Sequence, residues 1–274
     1  MDGMAVKKYF GVTLFIFLML NLLACRADLT PEPRTTSLPL EIVDSSGVTM
    51  RLIPAGDFTM GSNRDDDINN DAHLVSINAF YMDIYEVTNA RYADCVMTGI
   101  CSPPHESKSE FRPEYFGNTQ YADFPVVYVD WSMAQTYCEW RDARLPTEAE
   151  WEKAARGTDG RTYPWGEGGN CEHANFDGCV GDTSAVGGYT SGVSPYGLYD
   201  MAGNVFEWVS SINKSYPYDP TDGREEVTGR ASRVIRGGGW SHTAHDVQSF
   251  YRSWIGPEYY ESVIGFRCAR SMEE

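Results

Sequence analysis

The chain opens on Lys7 and Lys8, followed by an apolar run from Tyr9 to Leu23 broken only by Gly11, Thr13 and Asn21. A basic stretch, an apolar stretch and the small residue Ala24 make the pattern of a secretory signal. The run falls short of the roughly 20 residues that span a bilayer, so cleavage is expected and an uncleaved membrane helix is the alternative. Residues 26 to 39 hold three prolines and no large apolar cluster, too little apolar surface to fold, and read as a tether. Beyond it the pattern becomes that of a folded domain. Val48 to Met60 gives short β-prone runs around Pro54-Ala55-Gly56. His73 to Asp83, with Leu74, Ile77, Phe80 and Tyr81, predicts another strand.

From Thr88 the period changes, and Tyr92, Cys95 and Val96 share one face of an expected helix. Asp130 can cap a second helix that runs through Trp131, Ala134 and Cys138 and ends near Arg141. The third has the clearest start. Thr147-Glu148-Ala149-Glu150 is a capping box, Trp151, Ala154 and Ala155 supply the buried face, and Gly157 is the stop. After Gly157 the chain is rich in Gly, Trp and Tyr, with brief β runs such as Ser232 to Ile235. The expected class is α+β with little regular structure, organised as a signal over 1–24, a tether over 25–39 and one folded domain over 40–274.

Composition changes this picture in two ways. The formal charge is −17; residues 1–24 carry one net positive charge, so the remainder stands at about −18. Such a field repels a phosphate backbone and argues against a nucleic-acid partner. Divalent cations or basic partners suit it better, the alternative being that acidity only keeps the protein soluble. The run Asp65-Asp66-Asp67 reads as solvated rather than liganding. Of seven cysteines, Cys25 follows Leu22-Leu23-Ala24, which resembles the bacterial lipobox and marks Cys25 as the lipid-modified first residue of an exported, membrane-anchored protein. Six remain, an even number that favours three disulfides in an oxidising compartment. Cys95 with Cys101 and Cys171 with Cys179 are local pairs, which leaves Cys138 for Cys268. A zinc site at Cys171 and His173 is the competitor, although no C-x-x-C spacing occurs.

Seven segments in order resemble the formylglycine-generating enzyme family, also called sulfatase-modifying factors. They are Ile53 to Gly61, Phe80 to Asn89, Arg144 to Gly157, Tyr163 to Gly166, Tyr196 to Trp208, Arg236 to Trp240 and Gly265 to Arg270. The resemblance implies a variant of the C-type-lectin fold, and a disulfide matching Cys138 to Cys268 is usual in the family. Family members that oxidise a sulfatase cysteine hold Cu(I) between two thiols placed just after Arg-Gly-Gly and five residues further on. Here those places fall on His242 and Val247, and the family's serine after Arg-Gly-Gly is Gly239. Valine cannot bind copper, so neither that metal nor the family's signature reaction is expected. The resemblance also implies Ca2+ at the Gly-Asn-x-x-Glu-Trp turn, held by the Asp200 and Glu207 carboxylates and the Gly203 and Val205 carbonyls, a donor set suited to calcium. The alternative is that Asp200 caps a turn and Glu207 pairs with an arginine. A second family calcium site, in a loop that is shorter here at Asn175 to Asp182, is not carried over.

His242, His245 and Asp246 form a candidate cluster for iron, copper or zinc, set against the plainer reading of a solvated polar loop. Aromatic residues make up 13% of the chain; Trp165, Trp208, Trp240 and Trp254 could line a recognition groove or fill the core. Three functions follow. The expected one is a noncatalytic, membrane-tethered domain that recognises an envelope protein, peptide or glycan. The others are an oxidoreductase using a different metal at His242, His245 and Asp246, and a family-type sulfatase activator.

Overall fold

In the computed structural model, residues 38–63 and 71–272 are described, together with 1 and 3. The signal, Cys25, nearly all of the tether and the Asp65-Asp66-Asp67 run lie outside them. Strands β1 (Glu41–Val43), β2 (Thr49–Ile53), β3 (Gly56–Met60), β4 (His73–Ile77) and β5 (Phe80–Asp83) come first. The strand expected over 73–83 is thus two strands. Asn78 and Ala79 divide it because each half has a different neighbour: Val75 of β4 faces Phe58 of β3, whereas Phe80 of β5 faces Ile53 of β2.

The three expected helices are present with their expected caps. α1 (Asn89–Thr98) starts at Thr88, whose hydroxyl accepts from the Arg91 amide, and stops at left-handed Gly99. α2 (Trp131–Trp140) starts at Asp130, whose carboxylate accepts from the Met133 amide at 2.9 Å. α3 (Glu148–Arg156) has the full capping box: Glu150 N donates to the Thr147 hydroxyl at 3.1 Å and Thr147 N to the Glu150 carboxylate at 2.8 Å. Such a cap stabilises a helix by about 1 kcal/mol. All nine residues of α3 are buried. Its three carboxylates each meet an arginine from outside the helix, Glu152 with Arg236, Glu148 with Arg252 and Glu150 with Arg144, and Glu152 also pairs with Arg156 within it.

The second half adds β6 (Phe206–Ile212), β7 (Arg233–Arg236), β8 (Arg252–Ile255), β9 (Ile264–Gly265) and β10 (Ala269–Ser271). One sheet has the order β1-β2-β5-β10, a second β8-β7-β6-β9, and β3 pairs with β4 alone. α2 packs Trp131, Ala134, Tyr137 and Cys138 with Trp208 and Phe266, while α3 packs Trp151, Ala154 and Ala155 with Phe80, Met82 and Val234. The disulfides Cys95–Cys101, Cys138–Cys268 and Cys171–Cys179 are those expected. The zinc reading fails accordingly, since Cys171 is bonded to Cys179 and His173 stacks on Trp165. Among the described residues no helix is long and apolar enough to cross a membrane.

Candidate functional site

The turn between Asp200 and Glu207 is built on three residues of positive φ, Asp200, Gly203 and Asn204. At Gly203 only glycine fits, because a Cβ there would lie 2.3 Å from the Asn175 carbonyl oxygen. The turn places Asn204 at a junction. Its amide N–H reaches the Asn175 carbonyl at 2.7 Å, and its carbonyl accepts from Trp240 N at 2.9 Å. Its side-chain oxygen accepts from Ser184 N at 2.9 Å, and its Nδ2 donates to Glu86 Oε2 at 2.6 Å.

Beneath this junction lie three carboxylates. Glu207 gives both oxygens to Arg267 at 2.7 to 2.9 Å, and Oε2 also accepts from Trp151 Nε1 at 2.8 Å. Asp200 accepts from the Gly187 amide at 2.6 Å. Burial raises the pKa of Asp200 to about 6 against the pull of the Gly187 amide and Arg267. Burial, then the charges of Asp200 and Glu207, push Glu86 well above the ordinary glutamate range. One guanidinium, Arg267, serves all three. Buried acids short of positive charge take up a proton or a cation. Among the turn and loop hydrogen bonds of the described residues none ends on the Gly203 or Val205 carbonyl, so these oxygens are open to the calcium ion that the resemblance implies. Glu207 fits less well, since the arginine pairing weighed against calcium is present and an ion would have to share its oxygens with Arg267.

The two places that correspond to the family's thiols follow the Arg236-Gly237-Gly238 turn. Val247 is fully buried, packed with Tyr163, Ala174, Phe176 and Ala202. His242 sits edge-on to the Phe206 ring at 4.7 Å. Its Nδ1 is buried without a hydrogen-bond partner, as is Nε1 of neighbouring Trp240. Burial lowers the pKa of His242, while Asp246 and Glu261 pull the other way. All six cysteines of the described residues are in disulfides.

His242, His245 and Asp246 are not gathered into a metal cage. Asp246 accepts from the Thr243 amide and hydroxyl, His245 Nδ1 lies 3.6 Å from it, and His242 is turned to Phe206. Among the described residues no group of three or more His, Cys, Asp or Glu is arranged to hold a metal ion. The four tryptophans share no groove either: Trp208 and Trp240 are buried in the α2 core, Trp165 stacks on Tyr163, and Trp254 is 54% exposed on β8. Glu86, Asn204 and Arg267 lie inside three of the resembling segments but carry no role that the sequence assigns. The available signal was an asparagine directly after a turn glycine, a residue that tolerates positive φ.

Residues 40–272 match the family described as "Sulfatase-modifying factor enzyme 1-like domain". The chain is 35% identical over 245 residues to "Serine/threonine-protein kinase pkn1" of Chlamydia pneumoniae, covering 81% of this chain but 38% of that protein. It therefore spans about two-fifths of the length of that relative. It is 30% identical over 286 residues to "Inactive C-alpha-formylglycine-generating enzyme 2" of Bos taurus, covering 84% of this chain and 90% of the relative. Among solved structures, PvdO from Pseudomonas aeruginosa superposes with a TM-score of 0.71 at 28% identity, over 86% of this chain and 100% of PvdO.

Proposed function

Because the chain belongs to the sulfatase-modifying factor enzyme 1-like family yet carries His242 and Val247 at the family's thiol positions, we propose that it is a noncatalytic recognition domain. One observation carries this reading: Val247 is fully buried among apolar side chains, leaving neither a soft ligand nor open space for one. A relative of nearly the same extent is itself named inactive. The face that remains offers two buried polar atoms without partners, Trp240 Nε1 and His242 Nδ1. A ligand that displaced the side chains covering them would complete their hydrogen bonds and gain by doing so. The ligand classes that suit them are a peptide, a protein or a glycan of the cell envelope.

The domain is carried outside the cytoplasm by a tether lipidated at Cys25, and three disulfides suit an oxidising compartment. Calcium is held by Asp200 and the carbonyls of Gly203 and Val205, with Glu207 shared between the ion and Arg267, and serves to offset buried acid. The deciding experiment incubates the purified protein with a cysteine-containing sulfatase peptide and oxygen, beside an active formylglycine-generating enzyme. The expected result is no formylglycine and no oxygen uptake, and turnover would overturn the reading. Elemental analysis checks calcium, and the membrane fraction of Cys25→Ser checks the anchor.

A further inference from the structure

A cavity of about 400 Å³ opens between the β1–β2 turn, the segment joining β5 to α1, the end of α2 and the loop at Ala185 and Val186. Pockets that hold small molecules run from roughly 300 to 1,000 Å³. Much of the wall is apolar, supplied by Val48, Val87, Val186 and the rings of Tyr85 and Tyr137.

Five charged residues line the cavity, and three of them are already answered. Arg141 bridges Asp83 and Asp44 at 2.7 Å each, and Glu86 accepts from Asn204 and from the Val205 amide. The remaining two, Arg91 and Asp123, are both exposed at the rim, and neither has an ion-pair partner among the described residues. The Arg91 side chain and the backbone that carries Asp123 are held in place. Arg91 donates to the carbonyls of Ser46 at 3.0 Å and Gly47 at 3.1 Å, which fixes the guanidinium and leaves further N–H groups free. The Asp123 carbonyl accepts from Val186 N at 2.9 Å, and the adjoining Ala122 carbonyl from Ala90 N at 3.0 Å. The segment that carries the carboxylate is thereby stapled to the helix that carries the guanidinium.

A held guanidinium and a carboxylate on an anchored segment, set around an apolar wall and not ion-paired with each other, complement a small zwitterion. A dicarboxylate or a diamine would satisfy one charge and oppose the other. The geometry points to a binding site for a free α-amino acid with an apolar side chain, its carboxylate on Arg91 and its ammonium on Asp123. Val48, Val87 and Val186 shelter the side chain. None of these residues belongs to the His242 face, so the inference stands apart from the proposed loss of catalysis.

The test is isothermal titration calorimetry of the purified full chain with L-leucine, N-acetyl-L-leucine, which lacks the ammonium, and L-leucinamide, which lacks the carboxylate. Leucine is expected to bind, and each blocked derivative to bind about tenfold more weakly. Asp123→Asn should weaken leucine by about tenfold and leave N-acetyl-leucine unchanged, while Arg91→Gln should weaken leucine and leave leucinamide unchanged. Both positions are exposed, and circular dichroism checks that each variant is folded. Absence of heat with leucine and with phenylalanine at ~10 mM overturns the proposal. Equal binding of leucine and its blocked forms does so too.

Discussion

Arg267 meets Glu207 through three hydrogen bonds of 2.7 to 2.9 Å in an interior where neither side chain is exposed. The pair sits beside two further buried acids, so the arginine offsets more than its direct partner. Arg267→Met should cost about 3–5 kcal/mol, the range for removing one member of a buried pair. Adding Glu207→Gln should return part of that loss, because the stranded charge goes with it. Urea unfolding of the single and double variants decides the matter. Equal losses in both would mean that Glu207 is not what Arg267 compensates.

Cys138 and Cys268 close a loop of 130 residues, against 6 for Cys95 and Cys101. Loop-closure entropy grows with the logarithm of length, so the long bridge should contribute about 4–5 kcal/mol and the short one about 2 kcal/mol. Denaturant midpoints of the two double-alanine variants should fall in that order. The reverse order would place the stabilisation in local packing around α1.

Asp44 titrates below its ordinary value of 3.8. Burial pushes it up, but the Val48 amide, the Arg141 guanidinium and the Ser46 amide together outweigh burial. A carboxylate with a depressed folded pKa contributes stability that is fully present above the unfolded value and is lost as pH falls through the folded one. The stability gap between wild type and Asp44→Asn should therefore hold steady, at about 2 kcal/mol, from neutral pH down to the ordinary carboxylate range. It should close below that range. A gap that widens on acidification would refute the assignment.

A Cβ at Gly239 would lie 3.0 Å from Val263 Cβ, 3.3 Å from the Val263 carbonyl and 3.4 Å from His242 Nδ1. The family's serine is thus crowded out at this position. Gly239→Ser should lower stability by about 1–2 kcal/mol, and the same substitution should cost less in a Val263→Gly background, where the Cβ it meets is gone. Thermal melts of the three variants test this. A neutral Gly239→Ser would show that Val263 yields freely.

The helices and the strands β2 and β3 were legible because their signals are local: a cap, a period or a turn within a dozen residues. Of the β6–β9 sheet only the β7 run, expected over Ser232 to Ile235, was legible; the rest was not, because Glu207 and Ser211 occupy buried positions, and a polar residue inside reads as one outside. β5 hid for the opposite reason. All four of its residues are buried, so it shows no alternation to mark where it starts. At the candidate site the replacement of both thiols was plain once the resemblance had assigned their places to His242 and Val247. The Glu86–Asn204 contact spans 118 residues, and nothing near either residue announces the other.

The strand order β1-β2-β5-β10 also sets a timetable. β10 pairs Arg270 with Tyr81 and Ala269 with Met82, and Ala269 is bridged on its other side to Arg144. A ribosome delivers residues 41–83 early, yet β5 keeps one open edge until residues 269–271 arrive. An open edge is an invitation to pair with a stranger. The sheet therefore cannot be complete until the C-terminal strand is in place, and until then its β5 edge is open to a wrong partner.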